Sequence, residues 1–255
     1  MIEVKNLNKS FDGNQIITDI NASFQRGKVN LIIGRSGSGK TVLVKCIVGL
    51  HNVDSGEVLF DNTDVTKYKT REQNELRKKI GMLFQGGALF DSMTVEQNVM
   101  FPMRMFSELS FNDMRDRANE CIQRVNLINK NHLYPSETSG GMQKRIAIAR
   151  AISMNPEYLF CDEPNSGLDP QTAIVIDELI QELTYEFNTT TIVVTHDMNS
   201  VLEIGDNILL IHEGKAHWKG NKETILQSDD PQLNEFVYAS EFMRTVRKNL
   251  RFQAK

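Results

Sequence analysis

The chain has 255 residues, enough for one elaborate domain or a domain with an insertion, and its 40% hydrophobic, 24% charged composition is that of an ordinary globular protein. A formal net charge of −4 leaves no global basic footprint, which argues against nucleic acid as a general partner. No apolar run reaches the roughly 18 residues of a membrane span, Met1-Ile2-Glu3-Val4-Lys5 lacks leader architecture, and Cys46, Cys121 and Cys161 are neither paired in spacing nor grouped with histidines, which suits a reducing cytoplasm and no metal cluster.

Ile2, Val4 and Leu7 alternate imperfectly and predict an edge strand over 2–11, followed by a turn at Asp12-Gly13. Ile20, Ala22 and Phe24 alternate next, and Gly27 turns the chain into an apolar strand over 29–33, so a β-rich layer is expected beside a central core. Then comes Gly34-Arg35-Ser36-Gly37-Ser38-Gly39-Lys40-Thr41, which fits G-x-x-x-x-G-K-[ST] and runs into a helical stretch through Val42, Leu43, Val44, Ile47 and Val48. A strand, a glycine-rich curl and a helix in that order let backbone N–H groups converge on a polyphosphate. Lys40 is then placed to reach the β- and γ-phosphates, and the Thr41 hydroxyl to take one position on Mg²⁺.

A strand over 56–60 closes at Asp61-Asn62, Thr70 with Gln73 reads as a capping box before a charged helix ending near Lys79, and 80–84 is a short apolar strand. From Gln85 about seventy residues carry helical rather than strand signals. Thr94 with Gln97 caps one helix, Ser110 with Asp113 starts another running to about Val125, and Pro135 with Gly140-Gly141 precedes a third over 142–154. The α/β pattern resumes with a strand over 158–161 that runs into Asp162-Glu163. Asp169-Pro170 is a favoured N-cap and first-turn pairing for a helix through Ile176, Leu179 and Leu183. A strand over 191–194 and a hairpin of 207–212 with 216–219 around Glu213-Gly214 complete the core.

Phosphoryl transfer to water needs a phosphate cradle, a metal with an acidic ligand, and a group that positions the attacking water. Asp162, at the end of a hydrophobic strand, is expected to hold Mg²⁺ through its water shell, and Glu163, one residue on, to polarise the water. Thr195-His196-Asp197 ends another buried strand, where His196 can donate to the γ-phosphate or orient the carboxylate and water. Gln85 ends a strand aimed at the same crevice, and its amide is expected to sense metal and water.

These residues resemble the ATP-binding subunit of an ABC transporter over nearly the whole chain. Residues 34–41 are similar to the family's P-loop, Gln85 to its Q-loop, Thr138-Ser139-Gly140-Gly141-Met142 to its signature motif, Phe160 to Glu163 to its acidic strand end, Ser166-Gly167-Leu168-Asp169 to its D-loop and His196 to its H-loop. The resemblance implies an α/β fold, a P-loop NTPase (RecA-like) core with an N-terminal antiparallel β layer and an inserted α-helical subdomain. It divides the chain into 1–88 and 158–226 for the two parts of the nucleotide-binding core, 89–157 for the helical signature subdomain and 227–255 for a C-terminal helical tail. It further implies ATP and Mg²⁺ as cofactors and a dimer of two copies around two ATPs. Each P-loop, from Gly34 to Thr41 with Val42, would face the other chain's Ser139, Gly140 and Gly141, with Asp169 nearby. Phe11 is the counterpart of the family's adenine-stacking aromatic. The common signature reads Leu-Ser-Gly-Gly-Gln, so Thr138 and Met142 depart from it, and Met142 removes a polar side chain beside the shared nucleotide.

The stretch from Gly81 to Asp91, with Met93, Val95, Asn98, Val99 and Pro102, resembles the ATPases of Mce/Mla-type phospholipid transporters, as do Met142 and the segment from Asp230 to Phe236. That resemblance implies transmembrane permease subunits, an Mce-domain lipid-binding protein, a small cytoplasmic regulatory subunit, no nucleic acid, and a peripheral position on the cytoplasmic face of the inner membrane. Solute importers, exporters and non-transport cassette ATPases share the catalytic motifs. Five methionines between Met82 and Met105, with Phe84, Phe90, Phe101 and Phe106, suit either a groove for a partner helix or internal packing. In the tail, Leu233, Phe236, Val237, Met243 and Val246 recur near helical spacing, with Arg244, Arg247, Lys248 and Arg251 on other faces. They offer a grip on a second copy, a regulatory subunit or anionic lipid, or form a solvated basic helix end.

Overall fold

The computed structural model describes residues 1–239, 241 and 243–245. An antiparallel sheet joins β1 (Ile2–Phe11), β2 (Asn14–Phe24), β4 (Ser55–Phe60) and β5 (Thr63–Asp64) in the order β2-β1-β4-β5. Here β1 pairs with both β2 and β4 and is interior, not the edge strand expected. Register shifts between Val4 and Leu7 and again up to Ser10 explain its broken alternation, because each irregularity slips the side-chain period by a residue.

The central sheet holds β3 (Lys28–Ile33), β6 (Ile80–Leu83), β7 (Tyr158–Asp162), β8 (Thr190–Thr195), β9 (Asn207–His212) and β10 (Lys215–Gly220), in the order β10-β9-β3-β8-β7-β6. From β9 to β6 every neighbour is parallel, and β10 closes as an antiparallel hairpin. Its turn residues Glu213 and Gly214 both take left-handed backbone, φ 48 and 73, as a two-residue hairpin loop demands. Successive side chains go to opposite faces. Leu31, Ile33, Leu159, Cys161 and Val193 enter one core, while Ile32, Phe160, Ile192 and Val194 enter a second with α1 (Lys40–Ile47) and the antiparallel sheet. Burial on both faces is what a parallel sheet requires, and each fully buried Leu or Ile contributes about 1.5–3 kcal/mol. The same alternation sends Asp162 to the side of Phe160, toward α1.

The remaining helices are α2 (Thr70–Lys78), α3 (Val95–Phe106), α4 (Phe111–Arg124), α5 (Gly140–Ile152), α6 (Pro170–Phe187), α7 (Met198–Ile204) and α8 (Pro231–Val237). Helix α3 has the expected reciprocal cap: the Gln97 N–H donates to Thr94 Oγ1 at 3.3 Å and the Thr94 N–H to Gln97 Oε1 at 2.9 Å. Ser110 caps α4 by accepting from the Asp113 N–H. For α2 the expected register is one residue late, since the N-cap is Lys69, whose N–H donates to Glu72 Oε2 at 2.8 Å, while the Gln73 amide turns to the Tyr68 carbonyl. Helix α5 starts two residues before the expected 142, with Ser139 as N-cap, because its first-turn glycines are poor helix formers and read as a break. Asn98 is fully buried in α3 and fixes the preceding loop, accepting from the Phe90 N–H and donating to the carbonyls of Phe90, Met93 and Thr94.

In the tail, Leu233, Val237 and Met243 are buried in the main core. The apolar spacing read there therefore serves this chain's own packing. Val246, Arg247, Lys248 and Arg251 lie outside the described residues. Among the described residues no helix is long and apolar enough to cross a membrane.

Candidate active site

The register pairs Ile33 with Thr195, Asp162 with Val194 and Cys161 with Leu83, so β3, β8, β7 and β6 end side by side. The residues that leave those ends are the P-loop, His196, Glu163 and Gln85. They emerge at the carboxyl edge of the sheet, where open α/β folds bind ligands.

The P-loop curls through left-handed backbone at Gly34, Gly37 and Gly39, φ 147, 80 and 102. At Gly34 a Cβ would lie 2.3 Å from the Ile211 carbonyl oxygen, so only glycine fits between the loop and β9. The first-turn N–H groups of α1, at Lys40, Thr41 and Val42, have no acceptor within the helix and sit at its positive end. The buried Ser38 hydroxyl in the same curl has no protein partner. Lys40 is 6% exposed, and its Nζ donates to the Gly34 and Arg35 carbonyls at 2.8 and 3.0 Å. Burial pulls its pKa down, opposed by the charges of Glu163 and Asp162.

Facing it, Thr41 Oγ1 donates to Asp162 Oδ1 at 3.3 Å. Burial raises the Asp162 pKa and the charge of Glu163 adds to the rise, while the Thr41 hydroxyl, Lys45 and Lys40 oppose it. Glu163 itself takes left-handed backbone, φ 50, and its N–H donates to the Val194 carbonyl at 2.9 Å. Its carboxylate lies 2.9 Å (Oε1) and 2.8 Å (Oε2) from His196 Nδ1, on a ring otherwise open to solvent. Among the described residues no three His, Cys, Asp or Glu side chains are grouped to hold a metal ion by themselves. A hydroxyl and a carboxylate at this spacing are instead a donor set for Mg²⁺, which binds through one or two protein oxygens, waters and substrate phosphates.

The Gln85 side chain is exposed, and it is the backbone carbonyl that is engaged, by Lys144 Nζ of α5. Lys144 also donates to the Glu163 carbonyl at 3.3 Å, and Arg150 on the same helix donates to the Gly87 and Ala88 carbonyls at 2.7 and 2.8 Å. Sequence reasoning missed both cations. Their signal was present as charges inside an Ala- and Ile-rich helix that is mostly buried.

Other expected site residues stand apart. Ser139, Gly140 and Gly141 line a separate cleft of about 260 Å³ with Leu168, Asp169 and Thr172, and no P-loop residue borders it. Asp169 there caps α6, accepting from the Thr172 N–H at 3.0 Å. Phe11 is 38% exposed at the end of β1, with Lys9 Nζ 4.9 Å from its ring centroid and the His51 ring edge-on at 5.2 Å. Arg35 forms an exposed ion pair with Glu235 of α8 at 2.7 Å, Ser36 is exposed, and Val42 packs half-buried on the second core.

Behind the strand ends, α6 contributes Asp177, 4% exposed, whose buried Oδ1 has no hydrogen-bond partner, beside Ser200 of α7 and Asn165, which bond to each other at 3.1 Å. Burial lifts its pKa to about 6, Ser200 and Asn165 pull it down, and Asp197 and Glu203 add to the rise. An acid whose folded pKa exceeds its unfolded value destabilises the fold progressively as pH rises between the two values. Asp177→Asn is therefore expected to stabilise the chain at about pH 8 by on the order of 2 kcal/mol more than at about pH 4. Urea unfolding of both proteins at the two pH values checks this, and an equal difference at both would contradict it.

A groove of about 420 Å³ lies next to the Q-loop, lined by Met82, Phe84, Phe90, Phe101 and Phe106 with Arg150. Met100 and Met103 are buried inside instead, so the methionine- and phenylalanine-rich stretch divides between groove and core.

Residues 17–166 match the protein family described as ABC transporter. The chain is 41% identical over 237 residues to the intermembrane phospholipid transport system ATP-binding protein MlaF of Haemophilus influenzae, covering 93% of this chain and 90% of that one. It is 36% identical to the probable ribonucleotide transport ATP-binding protein mkl of Mycobacterium leprae, covering 92% of this chain and 68% of that one. It is also 36% identical to the methionine import ATP-binding protein MetN of Campylobacter jejuni, covering 95% and 77%. Among solved structures it is similar to the dimeric ATP-binding cassette MJ0796 in a post-hydrolysis state bound to ADP and Pi. The TM-score is 0.80 at 32% identity, covering 87% of this chain and 99% of that one.

Proposed function

This chain belongs to the ABC transporter family of ATP-binding subunits, ATPases that couple hydrolysis to transport, and from that premise we propose that it powers a permease moving phospholipid between bacterial membranes. The observation that carries the lipid reading is the similarity to MlaF, which spans nearly all of both chains. The Q-loop stretch from Gly81 to Asp91 and Met142 support it from the residues. In this reading the protein sits on the cytoplasmic face of the inner membrane, its groove at Phe84, Phe90 and Phe106 receives a helix of the permease, and an Mce-domain protein and a small regulatory subunit complete the assembly. The chain divides into core segments 1–88 and 158–226, helical subdomain 89–157 and tail 227–255.

For the chemistry, the P-loop N–H groups and Lys40 cradle the ATP phosphates, and the partly exposed Phe11 ring stacks on adenine. Thr41 and Asp162, with the Gln85 amide, would hold Mg²⁺, which would screen the phosphate charge. A cation there also relieves the burial of the Asp162 carboxylate. Glu163 accepts the proton of the attacking water, and His196, donating from Nδ1, keeps that carboxylate oriented. Ser139, Gly140 and Gly141 present the N-terminal N–H groups of α5 to the γ-phosphate bound on a second copy, beside Asp169. Their separate cleft, and the dimeric state of the similar cassette, support that composite site.

A second reading, the ATPase of a solute importer, is favoured by the similarity to MetN. Affinity purification of the tagged chain from solubilised membranes separates the two. The expected result is a permease with an Mce-domain protein and bound phospholipid, and a permease with a solute-binding protein would overturn the lipid reading.

A further inference from the structure

Lys144 is 7% exposed, and burial pulls its pKa down, opposed by Cys161, Glu163 and Asp162. Taking an ammonium out of water is unfavourable unless it is hydrogen-bonded, and packing alone would be served as well by a methionine of similar length. Its hydrogen bonds join two segments distant in sequence. One acceptor is the Gln85 carbonyl, in the loop that leaves β6; the other is the Glu163 carbonyl, at the end of β7. The Glu163 carbonyl also accepts from the Ser166 N–H at 3.2 Å, its N–H is held by Val194, and its carboxylate by His196. Left-handed backbone at a glutamate costs on the order of 1–2 kcal/mol and persists only where the surroundings over-determine it. The loop beyond Gln85 is held in the same way: Gly87 and Ala88 have φ 73 and 47, and Arg150 donates to both of their carbonyls. Phe84, Ala88 and Arg150 also line the apolar groove, so groove wall, loop and Glu163 are tied to one helix.

We propose that Lys144 is a positioning residue, latching the Q-loop to the backbone of Glu163 so that the groove and the hydrolytic carboxylate share one rigid connection. This rests on the reading of Glu163 as the group that activates water. A lysine suits the task because one ammonium on a flexible stem reaches two carbonyls from different segments, and its charge lies beside Asp162 and Glu163.

The test compares Lys144→Met, Lys144→Arg and Glu163→Gln in the full chain. For Lys144→Met, kcat is expected to fall about tenfold or more, as a misplaced catalytic group does, with KM for ATP within about twofold and Tm unchanged or higher. Amide hydrogen exchange at 85–88 should quicken, and Lys144→Arg should recover most of kcat. An unchanged kcat, a kcat loss accompanied by a lower Tm or a higher KM, or an arginine no better than methionine would overturn the proposal. Glu163→Gln separates the two claims: if it hydrolyses ATP normally, both fall, whereas an inactive Glu163→Gln beside a normal Lys144→Met removes only the role of Lys144.

Discussion

Glu163→Gln is expected to lower steady-state ATP hydrolysis by about 10²- to 10³-fold, the range of a lost general base, while ATP affinity stays within about threefold. The substitution keeps shape and removes one property. Glutamine fills the same volume, and its carbonyl oxygen can still accept from His196 Nδ1, now 2.9 Å from Glu163 Oε1. What disappears is the basicity needed to take a proton from water. Neither Lys40, proposed to contact the phosphates, nor Thr41 and Asp162 are disturbed in geometry, so substrate should still load. Phosphate release at saturating ATP, set against equilibrium binding of the same nucleotide, separates the two effects. Unchanged hydrolysis would remove Glu163 from the mechanism.

Lys40→Ala is expected to act on the other side of that split, weakening ATP binding by about 10²-fold. A charge-assisted contact to phosphate is worth about 1.5–3 kcal/mol, and in the proposed mechanism this lysine serves two phosphates. In the chain alone its ammonium rests on the Gly34 and Arg35 carbonyls, already buried at the mouth of the curl. Little side-chain ordering therefore remains when phosphate oxygens replace those carbonyls. Titration with a non-hydrolysable ATP analogue measures the loss. Affinity within about threefold of the parent would contradict the assignment, since the remaining N–H groups would then carry the phosphate alone.

Much of this was legible from residue order, for physical reasons. The P-loop announces itself because its backbone can be made only by glycines at fixed offsets, and Gly34 between Ser38 and Ile211 has no alternative. Asp162, Glu163 and His196 were visible because buried parallel strands are uninterrupted apolar runs, so a charge at the end of one stands out. The strand order was not: that β8 lies between β3 and β7 depends on its pairing with β3 across more than a hundred residues. Lys144 and Arg150 were hidden for a related reason. A cation in a helix ordinarily marks a solvated face, and only the approach of the loop after β6 turns these two inward. The interior position of β1 was masked by its bulges, and the start of α5 by its two glycines. In the tail the apolar spacing left a partner surface and a solvated end both open, and the structure uses Leu233, Val237 and Met243 of it for the chain's own core.

In the proposed mechanism each ATP is enclosed by the P-loop of one chain and Ser139 to Gly141 of another. Sedimentation of Glu163→Gln with and without Mg-ATP tests it most directly, alongside the same variant carrying Ser139→Arg. Glu163→Gln is expected to form an ATP-dependent dimer, and to stay a monomer that still binds ATP when Ser139→Arg is added. A Glu163→Gln protein that stays monomeric with ATP bound, or a double variant that dimerises equally well, would contradict it.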